Sequence, residues 1–443
     1  MVYAISILAL VLIFTIATKV PINMGILAFA GAFLVGGWVS GIPIDDIVDA
    51  FPGDIFLIVA GITLLFAIAK ANGTINIIVE SALRLVHGRR WALVWMMFLL
   101  SGALMALGSP MAAGMLAPIA MRLAGKKKIN PLLMGMAINH GALGCAFSPI
   151  TIYGAFVNGL IKSAGYEANP LLLFIVPFAL NTLFLAVLFA IYGRDLLHEL
   201  PEDRDEITGA GASAGASTRP HPSPGSGTAS ATAVLPDVDV IGRTPFNRER
   251  VATLIGILLL AVGSVAFNVD VGVSSICIST VLLLMAPKKM PRIEDKVAWP
   301  AVVLVCGMLT YMTVLKQNGT LDFLGDAATH LGSPLAAALI LLYAAAIISA
   351  VGSSIGTLGI ALPLAAPMLA AGELGALGFI IALAFASTVV DVSPFATNGS
   401  IVVAEADVED RQRFQRSVLA YCGLVVLLAP LVAWALIVVP TSL

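Results

Sequence analysis

SPITIYGAFVNG at residues 148–159 and SPFATNGSIVVA at 393–404 lie 245 residues apart in one chain. Each sets a Ser-Pro pair inside a long apolar run and follows it with small polar residues and glycine. Two more pairs of segments share that spacing. AKANGTINII, with NGT at 72–74, returns as LKQNGTLDFL, with NGT at 318–320, and GSPMAAGMLAP at 108–118 returns as GSSIGTLGIALP at 352–363. Offsets of 246, 244 and 245 residues in unchanged order mark a duplication. The halves run over 1–200 and 250–443, and 201–249 joins them.

The solvent of this chain is lipid. Of its 443 residues 59% are apolar and only 11% charged, and the mean hydropathy is +1.00. Soluble domains carry about 25% charged residues. Runs of about 20 apolar residues read as membrane helices, here over 2–19, 22–40, 54–70, 130–161, 171–192, 251–267, 270–286, 299–315, 374–405 and 417–439. The runs at 130–161 and 374–405 are long and broken. Residues 1–18 are uncharged with no cleavage signal after them, so they read as the first span. Residues 91–124 and 335–371 exceed 30 residues with Gly, Ser and Pro at their centres. Each suits a pair of half-length helices entering and leaving on one side, a backbone tolerated only under protein or beside water. The joining segment contains GAGASAGASTRPHPSPGSGTASAT, a flexible linker without apolar content to pack.

Five crossings per half place the second half upside down relative to the first. The fold class expected is therefore all-α, a polytopic membrane protein of two inverted repeats, each with a re-entrant helical hairpin and a broken helix. Lys70, Arg84, Arg89, Arg90, Arg122, Lys126–Lys128, Lys288, Lys289, Arg292, Lys296, Arg411, Arg413 and Arg416 fall on one side, with the linker. Asp45, Asp46, Asp49, Asp54, Asp322, Asp326 and Glu373 fall on the other. Positive-inside bias then puts the linker in the cytoplasm and both termini outside, in a cytoplasmic (inner) membrane. Residues 74–88 and 320–332 alternate polar and apolar positions at helical spacing, as interfacial helices or as ordinary solvated ones.

The candidate functional residues cluster at the breaks and hairpin tips. Proline frees a carbonyl, and half-helix ends coordinate ions in transporters. Ser148, Thr151, Ser393, Thr397 and Asn398 stand at the breaks, and Ser109, Ser353 and Ser354 at the tips; these are the candidate substrate-binding residues. The alternative is that Ser, Gly and Pro only kink and close-pack helices. Asp391 is the one charge in AFASTVVDVSPF, where a carboxylate costs a few kcal/mol and marks an ion site; capping the following half-helix is its other reading. Asp391, Gly108, Gly144, Thr357 and Ser400 form the candidate sodium sites. His140, beside Asn139, reads equally as a packing or a functional residue.

Enzyme signatures are weak. The chain has no H-E-x-x-H and no Walker loop, and its two G-x-S-x-G matches, GASAG at 211–215 in the linker and GSSIG at 352–356 in an apolar hairpin, lack the strand–turn–helix setting of a nucleophile elbow. Asp391 has no acidic twin in the first half, where Ala146 holds the equivalent place. Cys145, Cys277, Cys306 and Cys422 stand far apart, with no disulfide or zinc pattern, and the basic residues form no nucleic-acid stripe.

VPINMGILAFAGAFLVGG, ANGTINII, INPLLMGMAINHGALGCAFSPITIYGAFVNG and VVDVSPFATNGSIVVA resemble the MatC-type malonate/dicarboxylate carriers of the ion transporter superfamily, which also holds the divalent-anion/sodium symporters. The resemblance spans nearly the whole chain apart from the linker. It implies a homodimer whose protomers each have a scaffold and a transport domain moving as an elevator. It also implies a small dicarboxylate substrate. The sodium symporters of the superfamily carry Ser-Asn-Thr at each hairpin tip. Here those places hold Gly108-Ser109-Pro110 and Ser353-Ser354-Ile355, so neither tip keeps the motif. Taken together, the chain reads as a carrier, not an enzyme, taking up a malonate-like dianion with sodium, or alternatively the proton, as coupling ion and no organic cofactor. A sodium/proton antiporter of the same architecture and an intramembrane enzyme are the competing readings.

Overall fold

The computed structural model describes residues 1–197 and 247–442, apart from 21, 86–88, 110, 164, 168, 268, 288, 322, 324–332, 353, 371–373, 407 and 409. The candidate Ser353, the hairpin-tip Pro110, most of 320–332 and nearly all of the linker lie outside the described residues.

All regular structure among the described residues is helical. The first half runs α1 (Val2–Lys19), α2 (Met24–Gly31, continued as a π-helix Ala32–Val39), α3 (Ile44–Asp49), α4 (Gly53–Ala71), α5 (Thr74–Leu85), α6 (Arg90–Ala106), α7 (Ala112–Lys126), α8 (Pro131–Gly144), α9 (Ile152–Ser163) and α10 (Pro170–Tyr192). The second runs α11 (Arg248–Phe267), α12 (Val271–Met285), α13 (Trp299–Gln317), α14 (Pro334–Val351), α15 (Ser354–Ala370), α16 (Ala376–Val389), α17 (Thr397–Ala404) and α18 (Arg411–Ala433).

Short polar side chains start these helices where the sequence turns. Asn130 Oδ1 accepts from Leu132 N at 2.9 Å with Pro131 at the first position, and Asn169 caps α10 ahead of Pro170 in the same way. Asp270 and Asp410 cap α12 and α18. Each such cap is worth about 1 kcal/mol, and proline at N1 costs nothing because its amide would be unpaired anyway.

Among the described residues six helices are long and apolar enough to cross a membrane: Ile44–Ala71, Pro170–Tyr192, Trp299–Gln317, Pro334–Val351, Ala376–Ala404 and Arg411–Thr441. Five shorter apolar helices accompany them, among them Val2–Ala17 and Arg90–Ala106. Leu8, Ile191, Leu258, Leu284, Ile340 and Leu427 stand exposed on the outer faces. Buried against the interior are Ser, Thr, Asn, His and Asp side chains. That distribution suits a lipid surround and not water.

Helix packing exchanges elements between the halves. α4 packs on α12 of the second half, and α13 packs on α2 of the first. A Cβ on Gly25 of α2 would stand 2.0 Å from Val303 O of α13, and one on Gly272 of α12 would stand 2.8 Å from Ile58 N of α4. The NGT segments are equally paired. Asn72 Nδ2 donates to Thr253 Oγ1 on α11 at 2.8 Å, and Asn318 Nδ2 donates to Ser6 Oγ on α1 at 3.0 Å. Each Asn also accepts from its own Thr hydroxyl two residues on. A second group gathers α6–α10 and α14–α18 around α8 and α16, whose described residues are almost all buried.

α6 and α7 form a helix–turn–helix. Arg90, at the start of α6, donates from Nε to Lys127 O at 2.8 Å and from Nη2 to Lys128 O at 2.6 Å, beyond the end of α7. The two outer ends of this pair are therefore neighbours, and its turn is remote from them.

Candidate functional site

The first break lies between α8 and α9. Past Gly144 the chain makes successive tight turns, and Thr151 holds them. Its hydroxyl reaches Ala146 O and, at 2.8 Å, Ser148 O, while Gly154 N donates to it at 3.0 Å. Ser148 Oγ donates at 2.8 Å to Ala106 O, the last residue of α6, which fastens the break to the turn of the α6/α7 pair. That turn passes through Gly108 at φ +105°, where a Cβ would meet Ile62 Cγ2 at 2.2 Å and Ile150 O at 3.0 Å, so only glycine fits. Ser109 beside it is buried.

The second break lies between α16 and α17. A 3-10 turn, Val390–Val392, follows α16, and Ser393 Oγ accepts from Phe395 N at 3.2 Å. The backbone path repeats that of the first break. A Cβ on Gly154 would stand 2.0 Å from Ser148 O, and one on Gly399 would stand 2.1 Å from Ser393 O.

Asp391 does not cap α17. The cap position there is Ala396, with no side-chain hydrogen bond. Asp391, 5% exposed, points to the start of α15, where Ser354 Oγ hydrogen-bonds Oδ1. Ser349 Oγ lies 2.9 Å from Ser354 Oγ and donates to Ser387 O at 2.6 Å. The hydroxyl protons can be counted, one each. Ser349 gives its proton to Ser387 O, which leaves the single proton of Ser354 to serve either Ser349 or Asp391. An ionised Asp391 accepts it, and a protonated one would release it to Ser349. Tyr153, from the first break, comes near Ser354 and lies in the field of Asp391. Cys422 of α18 lies nearby, its Sγ donating to Val390 O at 3.9 Å.

Of the remaining candidates only Thr357, one turn after Ser354 on α15, stands beside this cluster. Thr397 and Ser400 are exposed on α17, with Ser400 Oγ donating to Thr397 O, and Asn398 is half-buried. Gly144 packs against α10, where a Cβ would stand 3.1 Å from Asn181 Cβ. Thr357 is 3% exposed, and its hydroxyl has no hydrogen-bond partner. Among the described residues no three His, Cys, Asp or Glu side chains group as metal ligands. The donors at the breaks are hydroxyls, carbonyls, an amide and one carboxylate, oxygen chemistry suited to a hard monovalent cation rather than a transition metal.

The two breaks meet crosswise. α7 of the first hairpin packs on α17, and α15 packs on α9. Ile401 Cδ1 of α17 comes to 3.1 Å from the Cβ position of Gly114 on α7, and the ζ carbon of Phe156 on α9 to 3.5 Å from that of Gly359 on α15.

Sequence reasoning missed Tyr153. The available signal was its place in the duplication, 245 residues before the chosen Asn398. His140 is settled as a satisfied side chain: Nδ1 meets Asn181 Oδ1 at 2.8 Å and Nε2 meets Tyr421 Oη at 2.7 Å. Asn181 Nδ2 donates to Pro177 O, so its oxygen must accept, and the neutral ring carries its proton on Nδ1. Neighbouring Asn139 is fully buried with neither amide atom partnered. Leaving such a group bare costs about 1–3 kcal/mol.

Residues 1–146 match the family model described as the N-terminus of the dicarboxylate carrier protein MatC. No curated protein matches the chain significantly. The apolar helices indicate a membrane protein, and the family matched by its first third is one of carriers.

Proposed function

From a chain whose first 146 residues are of the MatC dicarboxylate-carrier family, we propose a secondary transporter that takes up a small, malonate-like dicarboxylate coupled to a cation. The observation that carries this is the crosswise meeting of two helix breaks with two hairpin arms, α7 on α17 and α9 on α15. No Lys or Arg stands in either break or hairpin tip. A dianion there is offset by hydroxyls, amides, half-helix dipoles and a co-bound cation. Asp391 fits that scheme when it carries a proton or holds sodium, since a bare charge would repel the substrate. Sodium is the coupling ion we favour, on the oxygen-rich donor set, with the proton as the alternative.

The exchanged helix pairs, α4 with α12 and α2 with α13, support inverted repeats. The fastening of Arg90 to Lys127 and Lys128 supports re-entrant entry of the first hairpin. In this reading α1–α4 and α11–α13 form the scaffold of a homodimer. The hairpins and broken helices move against it as an elevator, with the linker cytoplasmic and the termini outside.

Uptake of radiolabelled malonate by proteoliposomes, with and without a sodium gradient and with and without a pH gradient, tests the proposal. Gradient-driven accumulation is the expected result. Sodium/proton exchange without malonate uptake would replace it with an antiporter. Thr253 is unsuitable as a neutral control in such work, because it is buried and accepts from Asn72. Thr280, whose exposed hydroxyl bonds only within its own helix turn, serves instead.

A further inference from the structure

We propose that Tyr153 is a substrate-binding residue whose hydroxyl donates to a carboxylate of the transported diacid, opposite the Ser354–Asp391 pair. This rests on the transport reading above and adds a residue and a role to it.

Four observations converge. First, Tyr153 holds in the first break the register position that Asn398 holds in the second. Second, its helix α9 packs on α15 of the other half, which brings Tyr153 near Ser354 and Asp391. Third, its donor is available. Ser354 has a single proton, already committed to Ser349 or to Asp391, so it has none to give Tyr153, and the phenol proton is left for an incoming acceptor. An arriving carboxylate can take that proton and leave the Ser354–Asp391 contact intact. Fourth, a second polar group at the same place is unsatisfied. Thr357 stands one turn after Ser354 on the same helix face, 3% exposed, with an unpartnered hydroxyl. The ring of Tyr153 is steadied by an edge contact with Phe147, centroids 5.9 Å apart, so the hydroxyl is presented from a fixed aromatic arm.

The chemistry selects a carboxylate. With no Lys or Arg at the breaks or tips, the strongest neutral donors for an anion are hydroxyls, and a phenol is the most acidic of those. A hydrogen bond to a charged acceptor is among the stronger single contacts. A diacid would place one carboxylate on the Tyr153 and Thr357 hydroxyls, held away from the Asp391 carboxyl by Ser354.

The test uses the full chain, purified and reconstituted, with malonate and its monoamide as probes. Tyr153→Phe keeps the ring and its contact with Phe147 and removes only the donor. Expected is a rise of about tenfold or more in KM for malonate, with the maximal rate within about twofold. The malonate-induced rise in melting temperature should shrink, while the melting temperature without ligand holds. Preference for malonate over the monoamide should fall if Tyr153 reads that carboxylate. Tyr153→Asn, which restores a donor at this register position, should recover part of the affinity. Unchanged KM and unchanged malonate stabilisation in Tyr153→Phe, with wild type transporting, would overturn the inference alone. A lowered maximal rate at unchanged KM would also overturn it, and would make Tyr153 a latch between the halves. Wild type that neither transports nor is stabilised by malonate or longer diacids would remove the transport reading and this inference together.

Discussion

At 145–154 the chain leaves a helix, satisfies its own carbonyls through Thr151 and starts again. At 390–399 it follows the same path with Ala396 in place of that threonine, and Asp391 turns to Ser354 instead. The backbone relation is close enough that Gly154 and Gly399 meet the same carbonyl at 2.0 and 2.1 Å. The side chains are not related in that way. The first break spends its polar groups on itself and on Ala106 O of the hairpin. The second spends its carboxyl on the other arm of the site. A duplicated scaffold can therefore repeat a backbone path while a buried carboxyl sits in one half only.

The backbone relation is broken most severely at the two glycines. Gly154→Ala and Gly399→Ala each force a Cβ into a backbone oxygen that no rotamer can move. Each should cost several kcal/mol, at the large end for a single substitution. The expected outcome is loss of monodisperse protein on size-exclusion chromatography for both variants, to a similar degree. If one half tolerates the methyl and the other does not, the shared path is an approximation and the comparison above weakens.

The side-chain difference is probed at Asp391, with an effect on transport rather than folding. Asp391→Asn keeps a side chain that can donate to Ser354 and removes the charge. Accumulation of malonate should fall by about tenfold or more, the loss of one coupled charge interaction of a few kcal/mol. Counterflow exchange and the ion response separate the mechanisms. A proton-coupled carrier still exchanges substrate but loses accumulation driven by a pH gradient, acidic outside. A sodium-coupled carrier binds more weakly, and its dependence on sodium flattens. Unchanged uptake and unchanged ion responses would take Asp391 out of the site altogether.

Much of the frame was legible before any coordinates, because it rests on local rules. Apolar length, Ser-Pro breaks and the 245-residue repeat locate α8/α9 and α16/α17 to within a few residues. Long-range partners were not legible. His140 meets Asn181 and Tyr421, 41 and 281 residues away, and nothing local distinguishes a satisfied histidine from a functional one. Thr253 lies inside an unbroken apolar span with no local mark, yet it receives Asn72 across the halves. Asp391 read as a cap candidate because it precedes a helix by a few residues, and only the fold brings Ser354 to it. Tyr153 was passed over because an aromatic residue in an apolar run is ordinary, although the repeat itself paired it with Asn398.

A smaller effect is expected at Thr151, where the first break differs from the second in the opposite sense. Thr151→Val keeps the branched shape and removes a hydroxyl that bonds Ala146 O, Ser148 O and Gly154 N. The loss should be about 1–3 kcal/mol, read as a drop of a few degrees in melting temperature in detergent, with malonate KM nearly unchanged. A large KM change with little destabilisation would move Thr151 from holding the turn to binding substrate. It would also make the two breaks more alike than their hydrogen bonds suggest.

The smallest effect is expected where the repeat has no counterpart. Residues 210–232 fall in the joining segment, rich in Gly, Ala, Ser and Pro, with almost no large apolar side chain to bury. Such a segment sets the reach between the halves and little else. Joining two halves that already exchange α4 with α12 and α2 with α13 needs only enough chain to span the gap, and closure entropy changes slowly with loop length. Deleting 210–232 leaves 201–209 and 233–249 as the connection. Malonate uptake per folded protein should stay within about twofold of wild type, since shortening the loop shifts its closure term by under about 1 kcal/mol. Loss of transport at normal expression and normal melting temperature would mean that the segment contacts the moving part of the molecule. Function would then depend on a region outside the duplication as well as on the asymmetry between its two breaks.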